Sequence, residues 1–359
     1  MRLTLFRSRT AGSPRASLAA RIPLYFGLAQ ILAVAGLAGW LFHIGEATVK
    51  ARQEQIPYAL VEVVGTPPGQ GEAARNPAVT ALPAPRLDGP VVLTPAPQPS
   101  LVEESPIGPL PRIGLDGRTP WQTYARPFPA EESRPRIAIV MADMGLSGAI
   151  TATAIQKLPG GVTLAFVPYA ENLVTWVEKA RADGHEAILA VPMEPRNYPR
   201  DDPGPNTLLT SVGLEKNLER LNWALSRVAG YIGVTTLSGS RFLDSSGNLM
   251  PVLETLKKRG LLFLDTKVTG TIDPALAAAQ LGVPFAVVDR MVDRDPARGA
   301  IDDELRTLEE TAKRKGMAVG LGLPFPTTLE RLVAWLPTLH DKGFVLAPLS
   351  AVANRQKFE

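Results

Sequence analysis

The chain has 359 residues, 45% of them hydrophobic, with 34 prolines, 31 glycines and no cysteine. Its length accommodates one large domain plus appendages, and the lack of cysteine excludes disulfides, thiolate metal sites and a cysteine nucleophile. Five of the 38 basic residues precede Glu46, the first acid, which leaves 33 basic against 35 acidic residues beyond it; that balance argues against nucleic-acid binding.

Residues 1–21 carry Arg2, Arg7, Arg9, Arg15 and Arg21 and read as a basic leader. Ile22 to Phe42 is a run of 21 uncharged, mostly apolar residues. As a helix it spans roughly 30 Å, the thickness of a bilayer core. A signal peptide is the rival reading, but an apolar h-region is usually about 7–15 residues long. No small-x-small cleavage pattern follows Trp40-Leu-Phe-His-Ile-Gly45. A retained transmembrane helix over 22–43 is therefore expected, with the arginines on the cytoplasmic side and the rest of the chain outside.

Residues 44–130 read as a linker. Between Thr66 and Ala130 lie 15 of the 34 prolines, and such a segment buries too little apolar surface to offset its ordering entropy. As a coil its mean reach is about 45 Å. Its last part, Pro109 to Phe128, carries Trp121, Tyr124 and Phe128, which are out of place in a spacer. This part is expected to lie on the following domain as a surface strap.

The domain, 131–355, opens with Arg136-Ile-Ala-Ile-Val-Met-Ala-Asp-Met-Gly-Leu-Ser147. Ile137–Met141 is a short apolar run of the kind buried on both faces of a parallel sheet. Asp143 stands just past its C-terminal end, either as a site residue or as a cap of the segment at Gly148. Further strands are expected at Val162–Val167, Glu186–Val191, Tyr231–Thr235, Leu261–Leu264, Phe285–Val288, Ala318–Leu321 and Phe344–Ala347. Amphipathic helices are expected between them, at Leu173–Asp183, Leu214–Val228, Asn248–Arg259, Pro274–Leu281, Asp302–Lys315 and Thr327–Lys342. The stretch from Asp303 to Gly316 is acidic at its start, basic at its end and closed by glycine, as the helix dipole and a C-cap require. This alternation predicts an α/β fold whose parallel sheet is closed or nearly closed into a barrel.

Catalytic and binding groups collect at the C-terminal mouth of such sheets. The strand ends place Asp143, Tyr169, Glu194, Ser240, Arg241, Asp265, Thr266, Asp289, Arg290 and Ser350 there. Each has a bland alternative: Glu194 as partner of Arg196 or Arg200, Arg241 as a loop clamp, Asp265 and Asp289 as turn caps. Their convergence on one face points to a ligand cleft.

Over Pro111–Val352 the residues resemble the divergent polysaccharide deacetylases, relatives of the NodB-type carbohydrate esterases, and most of all alphaproteobacterial members. The resemblance rests on Ile137-Ala-Ile-Val…Asp143-Met-Gly-Leu, Leu158-Pro-Gly-Gly-Val-Thr-Leu-Ala165 and Gly184-His-Glu-Ala-Ile-Leu-Ala-Val-Pro-Met-Glu-Pro195. It continues in Asp202-Pro-Gly-Pro-Asn-Thr-Leu-Leu209, Gly239-Ser-Arg-Phe242 and Gly260-Leu-Leu-Phe-Leu-Asp265. It implies a distorted seven- or eight-stranded (β/α) barrel, an envelope location, and descent from enzymes that remove acetyl groups from polysaccharides. With the anchor, the expected placement is a single-pass inner-membrane protein with its C-terminal domain in the periplasm.

Active relatives carry two adjacent aspartates after the first strand and two histidines that complete a divalent-metal site. Here the aspartate pair is Ala142-Asp143. The histidine-bearing motifs have become Thr235-Thr-Leu-Ser-Gly-Ser240 and Gly322-Leu-Pro324. Of the three histidines, His43 is at the expected membrane edge, His185 precedes a strand and His340 is near a helix end. A zinc site normally uses histidine or cysteine, so no metal ligand and no cofactor are assigned. The expectation is a degenerate deacetylase domain that binds an envelope polysaccharide or an envelope protein, with Tyr169, Glu194, Ser240, Arg241 and Thr266 as binding residues. The alternatives are a hydrolase working through the carboxylates of Asp143 and Asp265, and an anchored scaffold with a vestigial cleft.

Overall fold

A strand buried on both faces needs apolar side chains on both, one set toward the surrounding helices and one toward the barrel axis. Strand β3 (Arg136–Met144) has this pattern in a computed structural model that describes residues 91–268 and 272–356. Ile137, Ile139 and Met141 pack in the outer layer against helices, whereas Ala138 and Val140 join an inner cluster with Ala165, Ile188, Leu264 and Val319. The expected leader, the anchor and the linker as far as residue 90 lie outside the described residues. Among the described residues no helix is long and apolar enough to cross a membrane.

Among the described residues the first strands form a hairpin, β1 (Val102–Ser105) and β2 (Gly108–Pro111), followed by a one-turn helix α1 (Pro120–Thr123). After β3 come α2 (Gly148–Lys157), β4 (Thr163–Phe166), α3 (Leu173–Ala182), β5 (Ala187–Met193) and α4 (Leu214–Leu225). These are followed by β6 (Gly233–Ser238), α5 (Ser246–Arg259), β7 (Leu262–Asp265), α6 (Pro274–Leu281), β8 (Phe285–Val287) and β9 (Arg290–Met291). The last elements are α7 (Arg298–Lys315), β10 (Met317–Gly322), α8 (Pro326–Trp335) and β11 (Val345–Leu346). The sheet order is β8-β7-β6-β5-β4-β3-β10-β9, and every pair in it is parallel.

Parallel strands alternating with helices curl into an architecture that fits an α/β barrel. β8 and β9 are two parts of one stretch of chain. Its start pairs with β7, the Val288 N–H donates to Asp265 O (2.9 Å), and the Asp289 N–H donates to Val319 O of β10 (2.8 Å). The expected eighth strand, Phe344–Ala347, is only the two residues of β11, which pair with Arg136 and Ile137 at the start of β3. The chain then turns beneath the barrel, where Leu349 and Val352 close the inner cluster from below.

The strap closes the same end. Tyr124 and Leu101 are fully buried in the inner cluster. The Tyr124 hydroxyl accepts the Gln98 N–H (2.9 Å), and the Arg181 guanidinium lies over its ring at 5.1 Å. Glu186, buried on β5's N-terminal side, accepts the backbone N–H of Arg126 (2.9 Å) and of Ser350 (3.1 Å), the Thr163 hydroxyl (3.3 Å) and the Ser350 hydroxyl. One carboxylate thus ties strap, barrel and C-terminal segment together. The packed segment also starts earlier than the Pro109 boundary of the expected strap, because Leu93 and Leu101 are already buried.

Candidate binding cleft at the barrel mouth

Asp143 sits in an irregularity of β3. The register against β4 shifts between Met141 and Met144, and Asp143 has φ 55°, a left-handed conformation that costs a non-glycine residue energy. The next turn needs Gly145: at φ 95° any Cβ would stand 2.5 Å from Ala170 Cβ. The Gly145 N–H donates to Thr151 Oγ1 of α2 (3.0 Å). Ala142, in place of the family's other aspartate, packs against the inner cluster.

The acid whose charge reaches Asp143 is Asp293, two residues beyond β9. Asp293 is buried, and its Oδ2 accepts the Leu323 N–H (2.7 Å) and the Thr328 hydroxyl (2.8 Å). Its Oδ1 is buried with no hydrogen-bond partner among the described residues. Burial raises the pKa of both carboxyls, and the charge of Asp293 raises that of Asp143 further. Tyr169 completes the group: burial and the charges of Asp143 and Asp202 raise its pKa, and its hydroxyl donates to Pro203 O (2.9 Å).

The other expected site residues divide into groups. Glu194 is 3% exposed and ties two mouth loops. Its Oε2 accepts the Thr210 N–H (2.5 Å) and hydroxyl (2.7 Å), and its Oε1 lies 3.3 Å from Arg241 Nη1. Arg241, not Arg196 or Arg200, is thus its cationic partner; the side chain stays 55% exposed and serves as clamp and open donor together. The Ser240 hydroxyl accepts the Arg196 N–H (3.1 Å), and the Thr266 and Thr236 hydroxyls are 3.0 Å apart.

Three expectations are corrected by the structure. Asp265 accepts the Lys267 N–H (2.9 Å), and its pKa, raised first by burial, also feels Asp273 and the Ala275 N–H at the start of α6. It is a turn cap, and the partner of Asp143 is Asp293. Asp289 lies at the other end of the barrel, bound to the Val319 N–H (2.9 Å) with Lys315 Nζ at 3.9 Å; the two residues of β9 follow it. Ser350 lies beneath the barrel on Glu186 because β11 is so short. The signal that marks Asp293 in the sequence is the second apolar pair, Met291-Val292, just before it.

The donors at the mouth do not fit the metal site of active relatives. Among the described residues no group of three or more histidines and carboxylates is placed to hold an ion. His185 is fully buried at the opposite end, its Nδ1 2.8 Å from Val162 O and its Nε2 3.1 Å from Ile155 O. Leu323 stands in the family's late histidine position, and its N–H serves Asp293.

Residues 139–353 match the model of the divergent polysaccharide deacetylase family. The chain belongs to that family. It is 34% identical to the uncharacterized protein ATU2773 from Agrobacterium tumefaciens C58, whose crystal structure superposes with a TM-score of 0.67 over 68% of this chain and 99% of that one. It is 25% identical over 207 residues to the uncharacterized protein YibQ of Escherichia coli K12, an alignment that covers 56% of this chain and 63% of that protein. An uncharacterized protein of Haemophilus influenzae is 25% identical over 211 residues, 58% of this chain and 74% of its own. In this divergent polysaccharide deacetylase the mouth has kept acids, hydroxyls and an arginine, and has none of the imidazoles.

Proposed function

We propose that this divergent polysaccharide deacetylase is a membrane-anchored envelope protein that binds an envelope polysaccharide at the barrel mouth and does not carry out the ancestral metal-dependent deacetylation. The observation that carries this reading is the Asp143–Asp293 pair, with a buried and unpartnered Asp293 Oδ1 beside a strained Asp143. A carboxyl accepts from a sugar hydroxyl when ionised and donates to one when protonated, and burial raises the pKa of both acids. Tyr169, the Thr236–Thr266 hydroxyls and the open face of Arg241 extend that polar surface. The anchoring half of the reading rests on the Ile22–Phe42 sequence.

Calorimetric titration of the full chain in detergent with acetylated and deacetylated cell-wall glycan fragments tests it. Binding is expected, and Asp143→Ala should weaken it by about 10- to 100-fold, the loss of one charge-assisted hydrogen bond. Unchanged affinity in that variant would move the ligand elsewhere. A second reading, hydrolysis by the acid pair itself, draws on the coupling of the two carboxyls, since one protonated and one ionised group could serve as acid and base. It requires turnover that Asp293→Asn abolishes.

A further inference from the structure

Each helix of a β/α barrel ends on the face opposite the mouth, and here the ends of α2, α5 and α7 are cationic. Lys157 closes α2, Lys257 and Lys258 close α5, and Lys313 and Arg314 close α7. All five are exposed and make no ion pair among the described residues. The acids Glu103, Asp116, Glu132 and Asp289 on this face are each taken up by another cation: Arg259, Arg118, Arg134 and Lys315. Glu104, Glu131 and Asp183 interrupt the cationic ring at its edge.

The strap crosses the same face and points apolar side chains outward. Leu115 is 100% and Val92 92% exposed, and Ile107 and Ile113 are also exposed. Ile113 lies over Gly260 at the end of α5, and the Ser226 hydroxyl past α4 donates to Ile107 O (3.0 Å). The strap is therefore held by the ends of α4 and α5, the second of which carries Lys257 and Lys258. Exposed apolar side chains set among unpaired lysines and arginines match an anionic lipid interface, where the charges meet headgroups and the apolar tips enter the acyl boundary.

We propose that the face opposite the mouth docks on an anionic bilayer surface and so turns the cleft away from the membrane. This rests on the anchored reading only for bringing the domain to a bilayer. The cysteine-free chain allows a single-site test. Leu115→Cys on the strap and Leu276→Cys at the mouth end of α6 are each labelled with an environment-sensitive fluorophore. The full chain is then reconstituted in phosphatidylcholine vesicles with or without phosphatidylglycerol.

A blue shift is expected at 115 only with phosphatidylglycerol. It should be lost at high salt and in the Lys257→Glu/Lys258→Glu/Lys313→Glu/Arg314→Glu variant, while the label at 276 stays in water throughout. Equal shifts in neutral and anionic vesicles, or equal shifts at both sites, overturn the proposal. So does the absence of any shift, which would leave an acidic protein as the partner this charge suits. Flotation of the chain with neutral vesicles reports the anchor separately, so failure of the anchor and failure of docking are told apart.

Discussion

At the scale of single residues, the mouth is decided by which carboxyl faces Asp143. Asp293 does: burial raises both pKa values, and the charge of Asp293 raises that of Asp143 further. An acid whose folded-state pKa is raised binds more protons folded than unfolded between the ordinary value, about 3.9, and the raised one. Stability is therefore greatest below that window and is lost as pH rises through it. Asp293→Asn keeps an acceptor for the Leu323 N–H and the Thr328 hydroxyl and removes the charge. In a carboxyl-carbon NMR titration the Asp143 pKa should then fall toward the ordinary value without reaching it, since burial remains. The variant should match or exceed the natural chain in stability at pH 7 and lose that advantage near pH 4. An unmoved Asp143 titration would mean that the two groups do not sense each other. Asp143 itself was legible in the sequence as the acid ending the first strand. Asp293 was not, because the apolar pair Met291-Val292 before it is too short to read as a strand resuming after Val288-Asp289. Asp265 was placed correctly along the chain, and its capping of the next turn was one of its two readings.

Among the elements, the strands and helices of the domain were legible almost throughout, because most strands are buried on both faces and three helices, α5, α6 and α7, close on a glycine. Gly260, Gly282 and Gly316 all stand in left-handed C-cap conformations. Helix α2 was harder to see, since its alternating threonines and alanines give little amphipathic pattern. The strap was recognised by its aromatics, while its hairpin was hidden by prolines at 106, 109 and 111. Tyr124 is the side chain that turns this segment into part of the fold. Tyr124→Ala removes a fully buried ring, the acceptor of the Gln98 N–H and the platform of Arg181, and should cost about 3–5 kcal/mol. Urea denaturation monitored by tryptophan emission, with Trp121 close by in sequence, would show a lower midpoint. A midpoint unchanged from the natural chain would mean that the strap is an ornament on the barrel.

For the molecule as a whole, the barrel separates two ends of different character. The mouth joins acids, hydroxyls and Arg241. The opposite end is sealed by the strap and the C-terminal segment around Glu186 and is ringed by helix-end cations. The membrane span, the envelope placement and the polysaccharide ligand are proposals that join these ends into one account: a domain held by one face and open at the other. Its central claim is that the mouth binds a polysaccharide through Asp143 and Asp293 and no longer performs the metal-dependent reaction of its relatives. The most direct measurement is acetate release from acetylated cell-wall glycan by the full chain, read alongside glycan binding, with zinc, magnesium or calcium added and after chelation. The account predicts binding that chelation leaves unchanged and no acetate release under any of these conditions. Acetate release that a divalent ion restores and Asp143→Ala abolishes would contradict it.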